Sequence, residues 1–126
     1  MNFSEAFDHL KKDEVMSFLI KKLGNQITLT DRYDKDFAKA ISLLIIEQQV
    51  SFKAAITIKG RFLKLILNKT SKEIINIDDL QMQSVGISHR KVSYIKNTYS
   101  YFIRNKVDFK TLDEKGVIKE LTQIKG

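Results

Sequence analysis

The sequence predicts an all-α fold, a single multi-helix domain with short connections. Apolar residues recur at three- and four-residue spacing along most of the chain, the period of one helix face. Serine and aspartate stand just ahead of these runs, where their side chains can accept the N–H groups that a helix start leaves unpaired. No alternating pattern is strong enough to build a sheet, and repeats, low-complexity segments and proline-rich linkers are absent.

Taken in order, Ser4 is placed to cap a first short helix, with Phe7 and Leu10 facing inward. Asp13 is placed to cap a second, with Val15, Phe18, Leu19 and Leu23 in one stripe and Gly24 at its C-terminal end. Residues 25–33 read as a loop of some extended character, because Ile27 and Leu29 alternate with polar residues. Asp34 or Asp36 starts the third helix, which ends near Gln49. Ser51 opens a fourth, running to about Leu67, with Phe52, Ala55, Ile56, Phe62, Leu63 and Ile66 as its apolar face. Gly60 interrupts that helix at a cost of about 1 kcal/mol relative to Ala. A close helix crossing would account for it, and the small pair Ala54-Ala55 permits the same approach.

Ser71 caps a short helix to Asn76, and Asp78 caps another that ends before Gly86. Ser88 begins the longest amphipathic helix. Val92, Ile95, Tyr99, Phe102 and Ile103 share one face, while Arg90, Lys96 and Asn97 lie mostly off it. A turn over 107–111 leads to a last helix, Asp113 to Gln123, with Val117, Leu121 and then Ile124 as its apolar residues. Gly116 weakens its first turn.

At 126 residues the chain can form one small domain with a real core. No apolar run approaches the roughly 20 residues needed to span a bilayer. Residues 1–10 carry no signal-peptide stretch, so a cytoplasmic location is expected and no membrane partner. Without cysteine there are no disulfides or thiolate metal sites. His9 and His89, the only histidines, are far apart on helix-like segments, so no metal and no cofactor are expected. A net charge of +7 and a pI of about 9.6 favour a polyanion such as nucleic acid. The bias also has a bland source: lysine outnumbers arginine, isoleucine is abundant, and proline and tryptophan are absent, as in an AT-rich genome.

The most informative stretch is Glu47-Gln48-Gln49-Val50-Ser51. Phe37, Ala40, Ile41, Leu44, Ile45 and Gln48 share helical spacing, which places Gln48 on a face that would otherwise be buried. A buried amide without partners costs about 1–3 kcal/mol. Planar polar groups at a helix junction can hydrogen-bond or wedge into another molecule, which packing residues cannot.

Three segments then line up: Ile45 to Ala55 (IIEQQVSFKAA), Val85 to Ile95 (VGISHRKVSYI) and Glu120 to Gly126 (ELTQIKG). In this order and spacing they resemble the alkylation-repair DNA glycosylases of the helix-hairpin-helix superfamily, the DNA-3-methyladenine glycosylase II type. Ala6 through Gly24 (AFDHLKKDEVMSFLIKKLG) looks like the family's usual opening, so the resemblance covers the whole chain. The Gln-Gln-x-Ser segment followed by Ala-Ala is its most specific part.

The resemblance implies a monofunctional enzyme that rotates a damaged nucleotide out of double-stranded DNA and hydrolyses the glycosidic bond of an alkylated base. It implies that Gln49 fills the gap left by the flipped nucleotide, that Ser51 approaches the minor groove and that Gln48 supports the corner. Lys53, Arg90 and Lys91 are candidate phosphate contacts. Lys125 and Gly126 would begin the hairpin whose N–H groups hold a phosphate. In the family that hairpin continues with a second glycine, a second helix and a loop bearing a catalytic aspartate. Here the match ends at the first hairpin glycine, and no Asp or Glu occupies the aspartate's place. Residues 1–126 therefore read as the N-terminal part of a glycosylase domain, with no catalytic residue of its own and little or no activity alone. Losing one such stabilising group commonly costs about 10²–10³ in rate.

Bland roles compete at several of these positions. Ser51 and Ser88 are good N-caps, and Gly86 allows a turn. Glu47 would repel phosphate and should face Lys53 or another cation. Tyr94, Tyr99 and Tyr101 look like an aromatic lesion box, but at helical spacing they read as core. Two other readings of the whole chain stand beside the first. One is a basic helical DNA-binding module without chemistry. The other is a protein-interaction domain that exposes Leu121 and Ile124 and self-associates, where a complete enzyme would be a monomer.

Overall fold

The computed structural model describes residues 3–26 and 35–126. Every regular element among them is helical: eight α-helices and two short 3-10 turns. The all-α class is as the sequence predicts. Contacts group the chain into two compact units, residues 1–34 and 35–126.

The first unit holds α1 (Ser4–Leu10), α2 (Glu14–Leu23) and a 3-10 turn over Gly24–Gln26. Asp13 caps α2 by accepting the Met16 N–H at 2.9 Å. Ser4 is not the cap of α1. It lies inside the first turn, and Phe3 holds the cap position without a side-chain cap bond. Phe3 stacks on Phe7, with ring centroids 5.9 Å apart. The α2 stripe does not form a buried face: Val15, Phe18, Leu19 and Leu23 are all exposed, as is Leu10. Lys22 instead lays its ammonium over the Phe18 ring at 4.8 Å. The extended character expected after Gln26, and Asp34 as a helix start, lie outside the described residues.

The second unit contains α3 (Phe37–Glu47), α4 (Phe52–Ile66), α5 (Ser71–Ile75), α6 (Asp79–Ser84), α7 (His89–Arg104) and α8 (Glu114–Leu121), with a 3-10 turn over Phe109–Thr111. Asp36, Ser51, Asp78, Ser88 and Asp113 cap α3, α4, α6, α7 and α8, each accepting a backbone N–H. For α5 the cap is Thr70 rather than Ser71. Glu73 lies three residues on and returns a bond to the Thr70 N–H, closing a capping box. Those bonds from Thr70 hold the Glu73 carboxyl below its ordinary 4.5.

Helix α7 is the centre of this unit and packs against α3, α5 and α6, while α3 also packs against α4. Ile46, Phe62, Met82, Val92, Ile95 and Tyr99 are essentially sealed from solvent, each worth about 1.5–3 kcal/mol of hydrophobic stabilisation. The hydroxyls of buried Ser42 and Thr98 are satisfied within their own helices: Ser42 donates to the Ala38 carbonyl at 2.7 Å and Thr98 to that of Tyr94 at 2.9 Å. Phe37, Phe102 and Phe109 pack together, with centroids 5.3–6.3 Å apart, and join the start of α3 to the end of α7. Tyr99 and Tyr101 are buried and Tyr94 is half-buried, so the tyrosines build core.

Two expectations about packing change. The inward side of α4 carries Ala55, Phe62 and Ile66, but Phe52, Ile56 and Leu63 point outward, Phe52 with 83% of its surface exposed. Among the described residues no close crossing occurs at Gly60, where an added Cβ would meet nothing within 4 Å. Leu121 and Ile124 are half-buried rather than exposed, and on α8 Ile118 is the outward apolar residue.

Candidate nucleic-acid interface

Helix α3 stops at Glu47, one residue before the point that helical spacing requires to bury Gln48. Gln48 leaves the helix in an extended conformation, φ −64° and ψ 134°, and is exposed. Its placement on the buried face is thus corrected: periodicity ends where the helix ends. Gln49 follows with φ 56°, a left-handed conformation that costs a side-chain-bearing residue about 1–2 kcal/mol. Ser51 is extended again and caps α4, accepting the Ala54 N–H at 3.2 Å. Gln48, Gln49, Val50 and Ser51 form an exposed corner between two helices.

The corner is tied to α7. The Lys91 ammonium donates to the Ile46 carbonyl at 3.0 Å and to the Gln48 carbonyl at 2.5 Å. Carbonyls at a helix C-terminus lack helical donors and carry partial negative charge, so a cation is favoured there. This corrects the expectation for Lys91: it is half-buried and spends its charge on protein carbonyls rather than standing free for phosphate. Glu47 is likewise engaged. Its partner is Lys59, at 2.7 Å, and not Lys53. The pair ties the carboxylate to α4.

Beside the corner lies an open cleft of about 440 Å³, lined by Ser51, Lys53, Ala54, Thr57, Ile58, Arg61 and Gly86. Lys53, Thr57 and Arg61 stand four residues apart and form one stripe along α4. Neither Lys53 nor Arg61 forms an ion pair among the described residues. Gly86 closes the far wall. Its φ is 109°, and a Cβ there would lie 2.9 Å from Ile58 Cγ1, so only glycine brings this turn so near α4. Upstream, Lys96 bridges the Ile77 carbonyl and Asp79 Oδ1, fixing α6 on α7 and holding the Asp79 carboxyl below its ordinary value. Downstream, Ile87 is buried, Ser88 caps α7, and Arg90 is exposed in the first turn. The N-terminal end of α4 flanks the cleft, adding partial positive charge to that of the side chains.

Of the residues expected at a site, the structure therefore brings Gln48, Gln49, Ser51 and Lys53 into one corner and cleft, with Arg90 on the adjoining helix. Lys125 and Gly126 do not line the cleft. They dock on α7, one and two turns from Arg90: the Lys125 carbonyl accepts the Asn97 amide at 2.8 Å, and Gly126, at φ 141°, lies so close to Tyr94 that a Cβ would overlap the ring. Sequence reasoning missed Thr57 and Arg61. Their spacing from Lys53 was a usable signal, but only once Ser51 was fixed as the helix start.

Charge follows the same division. Residues 35–126 hold 17 lysines and arginines against 9 acidic residues, a net +8, whereas residues 1–34 hold 5 against 6, a net −1. His9 and His89 are exposed, and no three potential metal ligands come together among the described residues. No described helix is long and apolar enough to cross a membrane. Comparison with protein-family models, with curated proteins and with solved structures gave no match.

Proposed function

We propose that this chain engages double-stranded DNA carrying alkylated bases, as the duplex-opening part of a DNA-3-methyladenine glycosylase II-type enzyme. The observation that carries the reading is Gln49. It is exposed, left-handed and placed at the tip of a corner beside a basic cleft. A planar amide held out in this way can fill the gap left by a flipped nucleotide and hydrogen-bond the orphaned base. Lys53 and Arg61, with Arg90 on α7, supply the cations that would hold the backbone on either side. Ser51 caps α4 with its hydroxyl and still faces the cleft, so the two roles weighed for it are compatible.

We assign no catalytic residue within this chain. Hydrolysis by the family mechanism needs a carboxylate near the sugar. The carboxylate of the corner, Glu47, is held by Lys59. The runner-up is a DNA-binding module that never opens the duplex, favoured by the net +8 of residues 35–126. A duplex containing 2-aminopurine separates the two, because that base brightens when it is unstacked. Brightening that is lost in Gln49→Ala while affinity persists is the result expected of a probe. Tight binding with no change in fluorescence would leave only the module. Release of 3-methyladenine by the purified chain would overturn the assignment of no catalytic residue.

A further inference from the structure

We infer that Lys91 is a positioning residue, whose ammonium, anchored on the carbonyls of Ile46 and Gln48, sets the left-handed backbone of Gln49. The inference rests on the proposed role of Gln49 and adds to it a side chain that touches no DNA.

Helices that end in a left-handed residue usually place glycine there, and N–H groups of the following turn close the exposed carbonyls. Here the left-handed residue is glutamine. The closure from the local chain is weak: the Gln48 N–H reaches the Ile45 carbonyl at 3.4 Å. The donors come instead from α7, 43 and 45 residues away. Charge-assisted bonds of this kind are roughly twice as strong as neutral ones. Both carbonyls can face one ammonium because the chain turns away after Gln48, and the turn is made by Gln49. Lys91 is itself fixed on both sides. Its N–H donates to the Ser88 cap at 3.3 Å, and its neighbour Val92 is completely buried. Constraint therefore runs from the core at Val92, through Lys91, to the backbone of Gln49.

Lys91→Met keeps the length of the side chain and removes its donors. Lys91→Arg keeps donors that can reach two carbonyls. Without the anchor, the left-handed corner should lose about tenfold in population relative to right-handed alternatives.

The first test uses no DNA. Gln49→Gly should raise the denaturation midpoint in the wild-type background, because glycine relieves the left-handed strain. In the Lys91→Met background that gain should vanish. An equal gain in both backgrounds would overturn the inference. The second test reads 2-aminopurine fluorescence and the salt dependence of duplex binding. Lys91→Met should lose most of the brightening yet keep the wild-type slope of log K against log salt, and Lys91→Arg should restore the signal. A slope reduced by about one with brightening intact would make Lys91 an ordinary phosphate contact. If Gln49→Ala itself leaves the fluorescence unchanged, the probing role fails, while the DNA-free cycle still decides whether Lys91 sets the corner.

Discussion

A single backbone angle separates glycines that the sequence presents alike. At Gly86, φ is 109° and the space for a side chain is taken by Ile58. Gly86→Ala should destabilise the protein by about 1–3 kcal/mol through strain and push the turn away from α4. Thermal unfolding measures this, and an unchanged midpoint would contradict the packing of that turn. Gly60 is the opposite case, a helix-interior residue with open space beside it. Gly60→Ala should stabilise by about 0.5–1 kcal/mol; a lowered midpoint would mean that something does pack there. The turn at Gly86 was legible because it sits between a capped helix and the Ser88 cap, a local pattern. The crossing imagined at Gly60 was a tertiary claim, and spacing along one helix holds no information about what lies opposite. Gln48 departs from its spacing for a related reason. Periodicity placed it inward, but the helix had already ended.

Among elements, most starts were legible, Ser4 and Ser71 excepted, whereas only some faces were: α7 buries Val92, Ile95 and Tyr99 as their spacing implies. Asp13, Asp36, Ser51, Asp78, Ser88 and Asp113 all cap as their position ahead of an apolar run implies. Thr70 displaced Ser71 because only Thr70 has a glutamate three residues on. Which side of α4 or α2 turns inward depends on neighbours, so Phe52 and Phe18 were assigned to faces that the structure leaves exposed. The join between α7 and α8 yields an element-scale prediction. The buried Tyr101 hydroxyl donates to Glu120 Oε2 at 2.7 Å. Burial, then that bond and the glutamate charge, push the phenol from 10.0 up to about 12. A raised folded value favours the protonated form, so this stabilisation is complete below pH 10 and is lost as pH rises through about 12. Tyr101→Phe should therefore lose less stability than wild type over that alkaline window, as followed by circular dichroism. Parallel losses in the two proteins would show that the bond does not couple α8 to α7.

For the whole molecule, the sequence carries a charge of +7, yet its division decides what that charge can do. The second unit is strongly basic and the first slightly acidic, so the second is where a polyanion would be attracted. Lys53 and Arg61 line the cleft beside the Ser51 corner, and the acid of that corner, Glu47, is already committed to Lys59. Each phosphate contact releases counterions and steepens the dependence of binding on salt by a slope of about 0.9. Lys53→Gln and Arg61→Gln should each flatten the slope by about that amount. Lys11→Gln and Lys12→Gln, equal in charge but in the first unit, should leave it as it is. Duplex binding titrated across a salt series reads all four variants together. Four equal changes would mean that net charge alone draws the chain to DNA and that the cleft has no special part in holding it.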